Sequence, residues 1–132
     1  MPNSKLHIYS DGSCRTNPGG VGGWGVVITD DDENIISTIS GGEPETTNTR
    51  MELVAVIKGL EVVHLYSLAK RVTIYSDSRY VIDTSVKSGI PSAEYDLWER
   101  YDELNKVLDI SHIWVPGHTG HPLQEIADTL AT

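Results

Sequence analysis

The sequence predicts an α/β fold: a five-stranded mixed sheet in the order 3-2-1-4-5 with helices on both faces. Three observations carry that prediction. Short β-branched runs bounded by turn residues give way, after the third run, to an alternation with stretches of helical period. The first three runs are joined by polar, turn-rich connections that suit antiparallel hairpins, whereas helices separate the later ones and suit parallel crossovers. The tetrapeptide Ile-Tyr-Ser-Asp also closes two of the runs, at residues 8–11 and 74–77. If the hairpins grow the sheet one way and the crossover the other, those two runs lie side by side.

Strand one is expected over residues 6–11 and ends at Asp11-Gly12, a common turn pair. A connection rich in Gly, Asn and Pro over 12–22 leads to strand two at 23–29, and Asp30-Asp-Asp-Glu-Asn34 turns the chain into strand three at 35–41. Asp30-x-Asp32-x-Asn34 begins like a calcium loop, but Ile35 stands where such a loop needs Gly. Helix one is expected over 48–64, strand four over 72–76, helices two and three over 78–88 and 94–107, and strand five over 111–115. A last helix over 122–131 carries the apolar stripe Leu123, Ile126, Ala127 and Leu130.

Composition narrows the function. With 132 residues, 39% of them hydrophobic, the chain reads as one domain over 1–132 with a real core. Its single Cys14 excludes an internal disulfide and reads as a small buried residue. Met1-Pro-Asn-Ser-Lys-Leu-His lacks the regions of a signal peptide, so a cytoplasmic location is expected. No apolar stretch approaches ~20 residues, so no membrane partner is expected. Gly19-Gly-Val-Gly-Gly23 does not lie between a strand and a helix, and no small-molecule cofactor is expected. A formal net charge of -9 argues, taken as a bulk property, against phosphate-rich partners.

The predicted topology brings four carboxylates to one edge. Strands one, three, four and five all end there, so Asp11, Asp77 and the first turn of helix one, with Glu52, converge at the switch point of the sheet. The loop Pro116-Gly-His-Thr-Gly-His-Pro122 leaves the same edge for a helix carrying Asp128. Each has an ordinary structural reading: Asp11 in a turn, Asp77 as a helix cap, Glu52 in the capping box Thr49-x-x-Glu52, Asp128 as a solvated helix residue. Their convergence is what those readings do not explain. Clustered carboxylates raise one another's pKa unless a cation offsets them, and an oxygen-only set suits Mg²⁺ or Mn²⁺ better than zinc. Two such ions stabilise both the attacking and the leaving oxygen of a phosphoryl displacement, so metal-assisted phosphodiester hydrolysis is the implied chemistry. His118 and His121 lie in the Gly-flanked loop, where an imidazole suits proton shuttling near neutral pH.

Asp11-Gly-Ser with Asn17-Pro-Gly, Thr46-Thr-Asn-Thr-Arg-Met-Glu-Leu53, Asp77-Ser, Trp114-Val-Pro-Gly-His-Thr-Gly-His-Pro122 and Ala127-Asp128 together resemble type 1 ribonuclease H. The resemblance spans almost the entire chain and implies a ribonuclease H-like fold and an endonuclease that cuts the RNA strand of an RNA/DNA hybrid. It implies two Mg²⁺ ions, with Mn²⁺ as an alternative, held by Asp11, Glu52, Asp77 and Asp128, with Asp11 shared by both, and 3′-hydroxyl and 5′-phosphate products. His118 would assist proton transfer or product departure. Asn17 and Asn48 match positions that read RNA 2′-hydroxyls, and Thr47 one that holds a phosphate of the DNA strand. Gly12, Ser13, Arg50 and Arg79 complete the expected substrate surface, and a monomer is the default expectation.

Three features depart from the family pattern. Glu45 stands where an Arg often precedes the Thr of the phosphate pocket, residues 87–94 replace a basic protrusion, and Arg79 replaces a frequent Gln. The first two should weaken hybrid binding and leave it sensitive to salt. Two other readings therefore stay open: a hybrid-binding module that is non-catalytic or depends on a partner, and a different metal nuclease on the same fold.

Overall fold

The computed structural model describes residues 5–14, 19–66, 68–85, 94–116 and 122–131. Strands β1 (Lys5–Cys14), β2 (Gly22–Thr29) and β3 (Ile35–Glu43) form two successive antiparallel pairings. Helix α1 (Asn48–Leu65) then leads to β4 (Arg71–Ser76), which pairs parallel with β1. Helices α2 (Arg79–Ser85) and α3 (Tyr95–Val107) precede β5 (Asp109–Trp114), which pairs parallel with β4, and α4 (Pro122–Ala131) follows. The sheet order is β3-β2-β1-β4-β5, as the hairpin and crossover pattern predicts.

The repeated tetrapeptide lies in register with itself: Ile8 pairs with Ile74 and Tyr9 with Tyr75. Strand alternation sends Ile8 and Ile74 into the larger core, beside Leu53, Val56 and Leu60 of α1 and Leu104 of α3. It sends Tyr9 to the opposite face, where Tyr9, Val27, Leu123 and Ala127 pack under α4. The rings of Tyr9 and Tyr75 stack there with centroids 4.4 Å apart. Helices therefore cover both faces of the sheet, and Asp11, next in the alternation after Tyr9, projects on the α4 side, while Asp77 follows the last residue of β4 at the carboxyl edge.

Several boundaries differ from the sequence expectation. β1 runs on to Cys14 because Gly12, Ser13 and Cys14 still pair with Trp24, Gly23 and Gly22, so the first hairpin connection is shorter than 12–22. Gly12 makes this possible, since a Cβ there would collide with the backbone of Met51 and Glu52. β5 starts at Asp109, immediately after the α3 cap, as the Asp109 N–H donates to the Lys70 carbonyl at 2.7 Å. α2 starts at Arg79, and its expected extension over 86–88 lies outside the described residues. Cys14 is half-buried rather than buried, its thiol placed against the carbonyls of Gly20 and Thr46. In the β2–β3 turn, the Asp30 carboxylate accepts the N–H groups of Asp32 and Asn34, which is turn chemistry and not a cation loop. No helix of the described residues is long and apolar enough to cross a membrane.

Candidate active site

Asp11, Glu52 and Asp77 each offer a carboxylate oxygen within 4.8 Å of the others. β1 delivers Asp11, which is only 8% exposed, and its Oδ1 accepts the N–H of Gly12 at 2.8 Å. α1 delivers Glu52, although not as a capping residue in the first turn. The helix is capped by Thr47, whose hydroxyl accepts the Arg50 N–H at 3.1 Å, and that places Glu52 one turn in, with its carboxyl hydrogen-bonded to Ser78. Asp77 does not cap α2 either. Ser78 does, accepting the Val81 N–H at 3.2 Å, while its own N–H donates to Ser76 Oγ. Both helix-cap readings of these acids are thus removed.

Asp128 enters from α4 and hydrogen-bonds the carboxyl of Asp11, while its oxygens fall outside the 4.8 Å group. The register of α4 is fixed by Gln124, a buried side chain whose Nε2–H donates to the Ser10 carbonyl at 2.8 Å, one residue before Asp11. Ser13 adds a second tie, from its hydroxyl to the Ala131 carbonyl at 3.0 Å. Ser78 and Trp114, whose indole N–H donates to the Asp77 carbonyl at 3.1 Å, stand in the sequence only as members of the Asp77-Ser and Trp114–Pro122 motifs, without these roles. Gln124 is legible only as an amide beside the apolar stripe of α4.

Burial and crowding set the electrostatics. Asp11 is pushed up to about 8 by desolvation, then by the hydrogen bond its protonated carboxyl donates to Asp128 and by repulsion from Asp77, against the lowering effect of the Gly12 N–H. Glu52 is pushed up to about 7 by burial and by Asp77, against the hydrogen bond from Ser78. Such acids hold protons near neutral pH unless a cation displaces them.

The expected substrate residues divide. Gly12 and Ser13 lie at the end of β1, Thr47 and Asn48 open α1, and Arg79 opens α2. Arg50, expected on the substrate surface, is ion-paired within the fold. Its three guanidinium nitrogens are taken up by Glu43 at 3.0 Å, Glu94 at 2.8 Å and Asp96 at 3.5 Å. Asn17, His118 and His121 lie outside the described residues.

Carboxylates gathered at the carboxyl edge of a mixed sheet, from two strand ends and two helices, define a site for divalent cations and phosphate chemistry. Sequence similarity gives that class a family. The RNase H family profile matches residues 3–132, and the chain belongs to that family. It is 40% identical over 139 residues to a ribonuclease H of Thiobacillus denitrificans, covering 96% of this chain and 90% of the relative. It is 41% identical over 142 residues to a ribonuclease HI of Caulobacter vibrioides, with the same coverage of 96% and 90%. Its fold superimposes on LC11-RNase H1, solved in complex with an RNA/DNA hybrid, with a TM-score of 0.80, 26% identity and coverage of 96% of this chain and 93% of the other.

Proposed function

We propose that this chain is an endoribonuclease that hydrolyses the RNA strand of RNA/DNA hybrids, leaving 3′-hydroxyl and 5′-phosphate ends. The observation that carries the reading is the carboxylate group of Asp11, Glu52 and Asp77, joined through Asp11 to Asp128, in a chain of the RNase H family. The set fits a divalent cation on its own chemistry: hard oxygen donors that repel one another, with no His or Cys in the cluster among the described residues. Asp11, Glu52, Asp77 and Asp128 would hold two Mg²⁺ ions, with Mn²⁺ an acceptable substitute. When bound, such ions neutralise charge on the scissile phosphate and favour in-line attack by water.

The protein's own contribution is placement. The Gly12 N–H fixes the Asp11 carboxylate, Ser78 orients Glu52, and Gln124 holds α4 in the register that brings Asp128 to Asp11. Asp11, grouped with Glu52 and Asp77 and interacting with Asp128, would help to hold both ions. On the substrate side, Gly12, Ser13, Thr47 and Asn48 present small polar and backbone groups at the same edge, the kind of surface that reads 2′-hydroxyls and helix shape rather than base sequence. Asn17 and His118 join this reading by sequence match alone, His118 as the group that moves a proton to the departing oxygen. The hybrid bound to LC11-RNase H1 supports the choice of substrate.

The test is cleavage of an internally labelled RNA/DNA hybrid beside RNA/RNA and DNA/DNA duplexes, with Mg²⁺, with Mn²⁺ and with chelator. Internal cuts confined to the RNA strand of the hybrid, and only with a cation, are expected. Asp77→Asn should abolish them and leave the protein folded. A folded protein that cuts nothing, or only trims ends, overturns the reading.

A further inference from the structure

Trp114 closes β5 opposite Ser76, and its side chain serves two neighbours at once. Its Nε1–H donates to the backbone carbonyl of Asp77, a clustered carboxylate, at 3.1 Å. The face of the same indole carries the guanidinium of Arg79, with Cζ 4.1 Å from the ring centroid. The adjoining Val115 N–H donates to the Ser76 carbonyl at 2.9 Å, which fixes the strand ends under this arrangement.

Arg50, Lys58, Arg100 and Lys106 are ion-paired, whereas Arg79, like Lys5, Lys70 and Arg71, makes no ion pair among the described residues, and of these four it is the one beside a clustered carboxylate. A guanidinium stacked on an indole keeps its in-plane N–H fork open to phosphate oxygens, and the stack restricts the side chain before anything binds.

We propose that Trp114 is a positioning residue that holds Arg79 as a contact to one backbone phosphate of the bound hybrid and ties that contact to the placement of Asp77. The inference rests on the ribonuclease H reading and deepens it. It puts a phosphate-binding cation on the Asp77 side of the cleft, in a chain whose Arg50 is held by three carboxylates.

Steady-state cleavage of the hybrid over a range of salt concentrations tests it with Arg79→Gln, Trp114→Phe, Trp114→Ala and the double variant. Arg79→Gln should raise KM about tenfold at ~0.1 M salt, as expected for one charged hydrogen-bonding contact, and change kcat by less than about threefold. The plot of log kcat/KM against log salt should become shallower by about 0.9, the loss of one phosphate. Trp114→Phe keeps a flat face for the guanidinium but not the bond to Asp77, so KM should stay near the parental value while kcat falls. Trp114→Ala should raise KM as Arg79→Gln does, and the double variant should be no worse in KM than Trp114→Ala alone. An unchanged KM and salt slope in Arg79→Gln overturns the proposal, and a raised KM with an unchanged slope overturns the phosphate contact. Additive effects on KM overturn the role of Trp114. If the unsubstituted protein cuts no hybrid, the ribonuclease reading itself has failed, whereas cutting that Arg79→Gln leaves untouched sinks this inference alone.

Discussion

Asp11 and Glu52 make the pH dependence of stability a direct report on the site. In the unfolded chain both titrate near pH ~4, while the fold holds them up to about 8 and about 7. The cation-free folded state therefore binds protons more tightly than the unfolded one. The stability this confers is fully present below pH ~4 and is lost as pH rises through about 7 to 8. His112 works the other way. Burial lowers it to about 4, so the unfolded chain takes the proton first and stability is lost as pH falls from ~6.5 through about 4. Since the two trends oppose each other, the informative quantity is the difference in Tm between the parent and Asp11→Asn, measured in chelator from pH 4 to 8. The variant should gain on the parent steadily across that range, because it removes the group whose charging is penalised. A difference that stays flat with pH would mean that Asp11 is not held among carboxylates as the geometry has it.

At the scale of elements, the site depends on how closely α4 and α1 approach the sheet. A Cβ on Gly25 of β2 would stand 2.5 Å from the Ala127 carbonyl of α4, so Gly25→Ala must push the helix outward. Overpacking of this kind costs about 1–3 kcal/mol, and it carries Asp128 away from Asp11. The variant should lose activity by more than its drop in Tm explains, measured well below the melting range; full activity would show that Asp128 needs no close packing of α4. Arg50 is an element-level part too, joining α1 to β3 and to the start of α3. With 29% of its side chain exposed, its screened ion pairs make Arg50→Ala worth only about 1 kcal/mol of stability. The salt slope of hybrid cleavage should not change, in contrast to Arg79→Gln, and a shallower slope would return Arg50 to the substrate surface. These contacts also mark what the sequence could show. Strand order and the pairing of Ile8-Tyr9 with Ile74-Tyr75 were legible because hairpin lengths, crossovers and alternation are local patterns. Arg50's partners at the start of α3 and the reach of Trp114 to Asp77 and Arg79 were not, because each depends on which residues distant in sequence become neighbours, while the cap at Thr47 is local but competes in the sequence with the equally well-formed box Thr49-x-x-Glu52.

For the whole molecule, the open question is how a chain of net charge -9 handles a polyanion. Part of that charge is the site itself: four of its 19 acidic residues are the proposed cation ligands. Lys and Arg are already counted in that balance, so with those four set aside 10 basic against 15 acidic residues leave -5 elsewhere on the chain. Close to half of the charge that opposes phosphate thus sits where a divalent ion would reverse it, so cation binding and hybrid binding should rise together. Cation binding alone should also stabilise the fold. A ligand at 100 times its Kd contributes about 2.7 kcal/mol, which for a chain of this size is roughly 5–10 °C in Tm. Adding Mg²⁺ or Mn²⁺ at neutral pH should raise the Tm of the parent by that order, and that of Asp11→Asn by much less. NaCl at matched ionic strength separates site binding from the diffuse screening that any acidic protein enjoys. If the divalent salt, NaCl and the Asp11→Asn variant all gave the same shift, the carboxylates would be sensing ionic strength and not holding an ion. A shift confined to the parent with divalent salt would tie the acidic balance of the chain to its catalytic site.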